Sequence, residues 1–260
     1  MIDPGKSLGA HGLRGVIIAL LLQCGSAVAT GLQVTPTSLT VAADRSAVGV
    51  WLSNTGEQPL HAQVRVYHWS QQRGVDELIP SEELIVSPPI IELAVGARQF
   101  VRVIRAGAAP QDREDAFRIL VDELPIDEPA PSPQKPAVAG DASAVRFVLR
   151  YSVPVFLTPP NADPAAVQLD GRVDDASSPP RLIVHNRGDV HAQLGNLVLV
   201  SARGERRELS PGLLGYVLAG QTMHWQLRTD PATLAGAELQ SRINGEPRER
   251  KVASLGAGRP

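Results

Sequence analysis

The chain has 260 residues, of which 43% are hydrophobic, and a formal net charge of -2, so it can bury two cores of the size found in domains of about 100 residues. Its nearly balanced charge gives no basis for nucleic-acid binding or for general attraction to an anionic membrane. The 22 prolines and 23 glycines, with few helical patterns, favour an all-β chain of short strands and turns.

Residues 1–29 have the pattern of a secretory signal peptide. Lys6 and Arg14 supply positive charge, residues 16–22 form an apolar run, and Ala27-Val28-Ala29 has the small-x-small form of a cleavage site. The apolar run is much shorter than the roughly twenty residues of a membrane anchor. We expect cleavage after Ala29, which also removes Cys24 and leaves a mature chain with no cysteine for disulfides, thiolate catalysis or metal binding.

Residues 30–158 are predicted to form one all-β domain. Turn residues such as Asn54-Thr55-Gly56 and Gln72-Arg73-Gly74 separate short alternating or apolar runs, which is the spacing of a β-sandwich. The predicted strands comprise residues 32–34, 39–41, 48–52, 62–69, 99–104 and 117–121.

Residues 145–157 are the longest alternating run of the chain. Val145, Phe147, Leu149, Tyr151 and Val153 share one face, and thirteen extended residues reach about 43 Å, roughly twice the length of a usual strand. One end of this strand is therefore expected to project beyond its own domain and find a partner there, although a long core strand that bends at Pro154 fits the pattern equally well. The preceding residues 126–144, rich in Pro, Ala and charge, are predicted to form a mobile loop between two strands of the same sandwich.

Several motifs of this first domain resemble those of the periplasmic pilus chaperones. The polar turn Gln111-Asp112-Arg113-Glu114 leads into a strand that ends in Glu123-Leu124-Pro125, and the long strand ends in Phe156-Leu157-Thr158-Pro159. Two further motifs agree with this family in order and spacing. They are Leu52-Ser53-Asn54, and Ser87-Pro88-Pro89 followed by Gly96 and by the strand at 100–103. The resemblance implies two immunoglobulin-like β-sandwich domains arranged at an angle.

Residues 159–252 are expected to form the second domain, followed by a tail at 253–260; the chain from Asn244 onward reads as polar and frayed. Predicted strands at 182–184, 191–194 and 197–200, followed by the runs 215–221 and 223–227, form a meander. The turns Asn186-Arg187-Gly188 and Leu218-Ala219-Gly220 are similar to those of the archaic branch of the chaperone-usher family.

The family resemblance also implies a function in the periplasm. Pilus subunits in this family are incomplete immunoglobulin-like sandwiches, and the chaperone fills the gap with its long strand before delivering the subunit to an outer-membrane usher. Side chains at alternate positions, here Val145, Phe147, Leu149 and Tyr151, would enter the subunit's groove. Since an exposed apolar edge favours aggregation, self-association of the free protein is expected to protect it. No cofactor, metal or nucleic acid is implied.

The family anchors the subunit's C-terminal carboxylate with an arginine on the first strand and a lysine on the long strand. Ser38 and Pro154 stand at these two positions here, so the roles do not carry over. Arg118, which interrupts an apolar strand, is our first candidate anchor because a guanidinium binds a carboxylate in bidentate fashion; Arg150 and Arg102 follow. Glu114 matches an acidic residue that helps to hold the two domains together, but Thr158 replaces its arginine partner.

Other functions have weaker support in the sequence. No HExxH, GxSxG, phosphate-loop or dinucleotide motif is present, so no enzyme is predicted. His185 and His191 are close in sequence, but solvated turn histidines are a better interpretation than a metal site. A structural pilus or adhesion subunit would lack its final strand, whereas this chain has a long one at 145–157. A carbohydrate-binding module would depend on Trp51, Trp69 and Trp225, and isolated tryptophans are more typical of cores.

Overall fold

The structure is a computed structural model that describes residues 31–125, 148–163 and 167–255. The expected signal peptide, the loop at 126–144, and Val145 and Phe147 of the long strand lie outside the described residues. The first sandwich comprises β1 (Leu32–Thr35), β2 (Leu39–Val41), β3 (Ala47–Asn54), β4 (Leu60–Gln72), β5 (Val75–Pro80), β6 (Leu84–Ser87), β7 (Ile90–Leu93), β8 (Arg98–Arg105), β9 (Asp115–Leu124) and β10 (Arg150–Leu157).

These strands form two sheets that enclose one apolar core. The strand order is β1-β3-β8-β6 in the first sheet and β2-β10-β9-β4-β5 in the second, where β7 also pairs with β4. Alternate residues of each strand point between the sheets, among them the buried Val50, Leu52, Val103, Phe117 and Ile119. The antiparallel pairing of β9 with β10 confirms that the strands on either side of the predicted loop belong to one sandwich.

The second sandwich comprises β11 (Leu169–Asp174), β12 (Arg181–Asn186), β13 (Ala192–Val200), β14 (Arg206–Val217), β15 (Thr222–Gln226), the single turn α1 (Pro231–Leu234), β16 (Glu238–Ile243) and β17 (Glu249–Ser254). Its sheets have the orders β11-β12-β15 and β14-β13-β16-β17, and its core is a separate apolar cluster. Across the described ranges, no helix is long and apolar enough to span a membrane.

The second sandwich corrects two sequence-based expectations. The two strands predicted at 191–194 and 197–200 form the single strand β13, because Gly195 and Asn196 make an irregularity within it rather than a turn. The expectation of a frayed tail from Asn244 is wrong as far as Ser254, because β17 pairs with β16 and buries Val252 and Ala253.

The β4–β5 hairpin reaches the second domain through its tip. Arg73 and Gly74 have φ values of 51° and 80°, as a two-residue hairpin turn of the primed type requires. Gly74 forms an isolated parallel bridge with Met223, and its carbonyl accepts a hydrogen bond from the backbone N–H of His224 at 3.4 Å. The turn predicted at Gln72-Arg73-Gly74 therefore also contributes to the contact between the domains.

Gly74→Ala is expected to lower the free energy of unfolding by about 1–3 kcal/mol. The new Cβ would require a positive φ of an alanine and would overlap the imidazole of His224. Gly96→Ala is the matched control, because Gly96 has φ 72° but no atom within 4 Å of the added Cβ. Urea denaturation of both variants gives the comparison, and equal losses would show that the contact with His224 does not contribute to stability.

Candidate functional site

The edge of β10 is only partly covered by a neighbouring strand. On one side, β10 pairs with β9 along its whole length, whereas on the other side β2 covers only Val155, Phe156 and Leu157. Within the described part of the chain, residues 150–154 have no strand on that second side. This segment therefore presents backbone donors and acceptors to which another extended chain can bind.

Two of the predicted donor residues, Leu149 and Tyr151, lie on the core-facing side of this segment. Both pack against the partly exposed margin of the first core. The Leu149 N–H donates to Glu123 Oε2 at 3.2 Å, and the Tyr151 hydroxyl donates to the Leu32 carbonyl at 2.6 Å. Val148 lies on the opposite face and is 54% exposed. The predicted alternation thus continues through the described end of the strand.

An aromatic cluster lies where the two domains meet. Trp69, Ala116 and Phe156 from the first domain are buried together with Leu218 from the second, and Tyr216 packs against them. The imidazole of His191 stacks on Phe156 with ring centroids 3.5 Å apart. Because this apolar surface comes from both domains, separating them would expose it to water, at a cost that scales with its area.

Polar contacts to the backbone fix the domains around this cluster. Gln71 Nε2 donates to the Tyr216 carbonyl at 2.9 Å, and Gln71 Oε1 accepts from the Leu218 N–H at 2.9 Å. The side chain of Gln71 therefore pairs with β14 and the residue after it as a neighbouring strand would.

Glu114 forms a second polar link between the domains. Its Oε1 atom accepts from the His191 N–H at 3.1 Å and lies 2.8 Å from His191 Nδ1, while its own N–H donates to the Asp189 carbonyl at 2.9 Å. His191 thus pairs with Glu114 across the domains, which Thr158 cannot do in place of the family's arginine. The interpretation of His191 as a solvated turn residue is wrong, because its neighbour in space is a carboxylate 77 residues away in sequence.

Arg118 lies beside the interdomain cluster, half-buried. Its guanidinium carbon is 3.6 Å from the ring centroid of Trp69 and 5.3 Å from that of Tyr216, and its Nη1 atom is 3.5 Å from the Ser152 carbonyl. Burial lowers the pKa of this guanidinium from its usual value, and the charge of Asp76 partly offsets the effect. No carboxylate of the described residues forms an ion pair with Arg118, so its charge is available to a ligand.

The other two candidate anchors do not lie in this cluster. Arg150 forms an ion pair with Asp122, which also accepts from Arg65 Nη2 at 2.6 Å. Arg102 extends from the outer face of the sheet that contains β8, on the far side of the first core. Of the three arginines, the structure brings only Arg118 to the junction of the domains.

Asp122 is expected to make stability depend on pH below about 4. Burial raises the pKa of its carboxyl, but the hydrogen bonds from Arg150 and Arg65 outweigh burial and hold the pKa below its usual range. In the unfolded chain, an aspartate carboxyl has a pKa of about 3.9. Above that pH the ion pairs stabilise the fold fully, and their effect is lost as the pH falls through the lower pKa of Asp122 in the folded state.

In urea titrations, wild type should be more stable than Asp122→Asn by roughly 1–2 kcal/mol at pH 7. The difference should shrink at pH 3. A difference that stays constant with pH would contradict the assignment of the depressed pKa to Asp122.

The histidine pair weighed as a metal site is separated in the structure. His185 Nδ1 lies 2.9 Å from the Thr222 hydroxyl, on the outer face of the β12–β15 pair, whereas His191 contacts Glu114. Over the described ranges, no group of three or more His, Cys, Asp or Glu side chains has the arrangement of a metal site.

A sequence-family comparison identifies the first domain. The family described as "Pili and flagellar-assembly chaperone, PapD N-terminal domain" matches residues 31–163, just over half of the chain. The chain belongs to this family of pilus chaperones. The resemblance found in the sequence motifs is thereby confirmed. No curated protein sequence matches this family member significantly.

Solved structures of pilus chaperones share its fold. A chain of the CsuC–CsuE chaperone–tip subunit complex, from the archaic Csu pili of Acinetobacter baumannii, has a TM-score of 0.66 at 21% identity, with 86% of this chain and 99% of that chain covered. The CupB2 chaperone of Pseudomonas aeruginosa has a TM-score of 0.54 at 17% identity, with 84% of this chain and 97% of that chain covered. A chain of the Salmonella enterica SafA pilin–SafB chaperone complex has a TM-score of 0.59 at 15% identity, with 86% of this chain and 96% of that chain covered. These similarities confirm the fold of two β-sandwich domains.

Proposed function

We propose that this protein is a periplasmic chaperone of the archaic chaperone-usher branch, which binds pilus subunits by donating the edge of β10 and delivers them to an outer-membrane usher. The observation that carries the proposal is the uncovered edge of residues 150–154 in a member of the pilus chaperone family. A subunit that lacks its last strand needs such an edge to complete its own sheet.

The donor side chains would be Val145, Phe147, Leu149 and Tyr151. Their alternation in the sequence would place them on one face of an extended chain, and the structure supports this for Leu149 and Tyr151, which share the core-facing side with Val153. Backbone hydrogen bonds along the edge would give a grip that tolerates different subunit sequences. Burying three or four such side chains would contribute about 5–12 kcal/mol before the cost of ordering the segment, which is enough for a stable complex.

Arg118 would bind the C-terminal carboxylate of the subunit. It is a half-buried cation at the junction of the domains, on the strand next to β10. A guanidinium already stacked on Trp69 loses little freedom when it binds a ligand, so the ordering cost of the ion pair is small. The anchor would thus come from β9, which compensates for Ser38 and Pro154 at the positions of the family's basic pair.

Release of the subunit would need no nucleotide. The subunit folds further when the strand of a neighbouring subunit replaces that of the chaperone, and this final folding supplies the free energy. Until a subunit arrives, self-association of the free protein through the β10 edge would limit aggregation.

Refolding of a purified pilus subunit in the presence of the protein tests the proposal. We expect an equimolar amount to suppress light scattering from the aggregating subunit and to form a 1:1 complex in gel filtration. Hydrogen exchange should show new protection of backbone amides within residues 150–153 in that complex. Undiminished aggregation, or a complex in which these amides exchange as in the free protein, would refute strand donation by β10.

A further inference from the structure

A second surface, on the opposite side of the first domain, has features of a binding site. It is the outer face of the sheet β1-β3-β8-β6, far from the β10 edge, because the core of the sandwich separates the two. Trp51 and Phe100 lie side by side on this face with ring centroids 5.0 Å apart, and they are 38% and 37% exposed. Ile85, at 52% exposure, extends the apolar area across Ile104 to β6.

The rings of Trp51 and Phe100 are tilted against each other, with an interplanar angle of 56°. A Cβ on Gly49 would overlap the ring of Phe100, so the glycine allows this ring to lie across β3. The guanidinium of Arg98 covers the other part of the surface, with its central carbon 4.4 Å from the ring centroid of Trp51. The result is a preformed aromatic surface bordered by guanidinium groups.

The charge of this face has a single sign. Its outward positions are Gln33, Thr35, Ala47, Gly49, Trp51, Ser53, Ile85, Ser87, Arg98, Phe100, Arg102 and Ile104. None of them is acidic, and neither Arg98 nor Arg102 forms an ion pair with another described residue. On the opposite sheet, by contrast, Arg65 and Arg150 each form an ion pair with Asp122.

We infer that this aromatic and cationic face binds a polypeptide segment that combines acidic with apolar side chains. Exposed aromatic residues with arginine, and without Lys, Glu or Asp, have the composition of the centre of a protein–protein interface. The two guanidinium groups, which have no ion-pair partner among the described residues, favour an anionic partner over a cationic one. A second copy of this face would place arginine against arginine, and two aromatic rings with two arginines provide too little apolar area and charge for a lipid surface.

The test uses a display library of random peptides, roughly twelve residues long, which is selected on the folded wild-type chain; the best peptides are then compared on wild type and on an Arg98→Glu, Arg102→Glu variant. Enriched sequences are expected to pair Asp or Glu with aromatic or aliphatic residues. Fluorescence anisotropy of the best peptides should show at least about tenfold weaker binding to the double variant, and weaker binding to wild type at high salt.

Arg172→Glu is the matched control, because it makes the same change of charge on an exposed strand position of the second domain. It should leave peptide affinity unchanged, and none of these variants should change binding of a pilus subunit. If the double variant does not fold, Arg102→Ser takes its place.

Three outcomes would overturn the inference. In the first, the enriched peptides are basic or uncharged, or they bind wild type and the double variant equally. Sedimentation reveals a dimer that the double variant abolishes, so that the occupant is a second copy. Vesicles that contain phosphatidylglycerol bind wild type but not the variant, while no peptide does, so that the occupant is a lipid surface.

Discussion

A Phe147→Asp, Leu149→Asp variant is expected to bind a pilus subunit about 10²–10⁴-fold more weakly than wild type. Each of the two side chains would contribute roughly 1.5–3 kcal/mol by burial in the subunit's groove, and every 1.4 kcal/mol corresponds to a factor of ten in affinity. Aspartate in an apolar groove adds a desolvation cost. The measurement is the amount of soluble subunit that co-purifies after expression of both proteins in the periplasm.

Val148→Asp is the control for this variant. Val148 is 54% exposed on the opposite face of the same segment. The substitution therefore adds a carboxylate to this segment without placing it in the groove. It should retain the subunit as wild type does. Circular dichroism must show that the double variant is folded, because Leu149 also packs on the chaperone's own core. A folded double variant that retains the subunit equally well would refute donation through this face.

Arg118→Ala is expected to weaken subunit binding by roughly 10–100-fold, because a charge-assisted hydrogen bond to a carboxylate contributes about 1.5–3 kcal/mol. Isothermal titration with a subunit ending in a free carboxylate, and with the same subunit amidated at its C-terminus, measures the interaction itself. Amidation should weaken binding to wild type and have little further effect on Arg118→Ala.

Two further variants separate anchoring from a structural role. Arg118→Lys retains the charge but not the planar fork, so we expect intermediate affinity. Arg150→Ala removes a guanidinium that is occupied by Asp122 and should have little effect. If amidation weakens binding to wild type and to Arg118→Ala by the same factor, Arg118 only supports Trp69, and another group binds the carboxylate.

The sequence predicts those parts of the fold that depend on local patterns. The runs at 48–52, 62–69 and 117–121 alternate because one sheet face packs on a core, and each lies within a strand of the structure. The sequence makes Arg118 a candidate anchor because a cation interrupts an apolar strand there. The structure places it at the junction of the domains, beside Trp69, where that interruption has a physical reason.

Apart from the short apolar strands β6 and β7, the unpredicted elements lack such local signals. β5 is almost entirely exposed and β11 has no fully buried residue, so their apolar alternation is weak, and β16 and β17 carry charged residues along their outer faces. The contacts of Gln71 and His191 with the other domain depend on tertiary structure alone. A glutamine at the end of a strand and a histidine at the start of another have no periodicity, and only their partners across the junction reveal their roles.

The backbone contacts of Gln71 have a consequence for how such a protein can diverge. Gln71 recognises the peptide groups of residues 216 and 218 and not their side chains. Substitutions at those two positions therefore leave the polar link intact, provided that the strand keeps its course. Away from the aromatic cluster and His191, the second domain can accumulate mutations without losing this link, so its orientation can outlast much of the sequence around it.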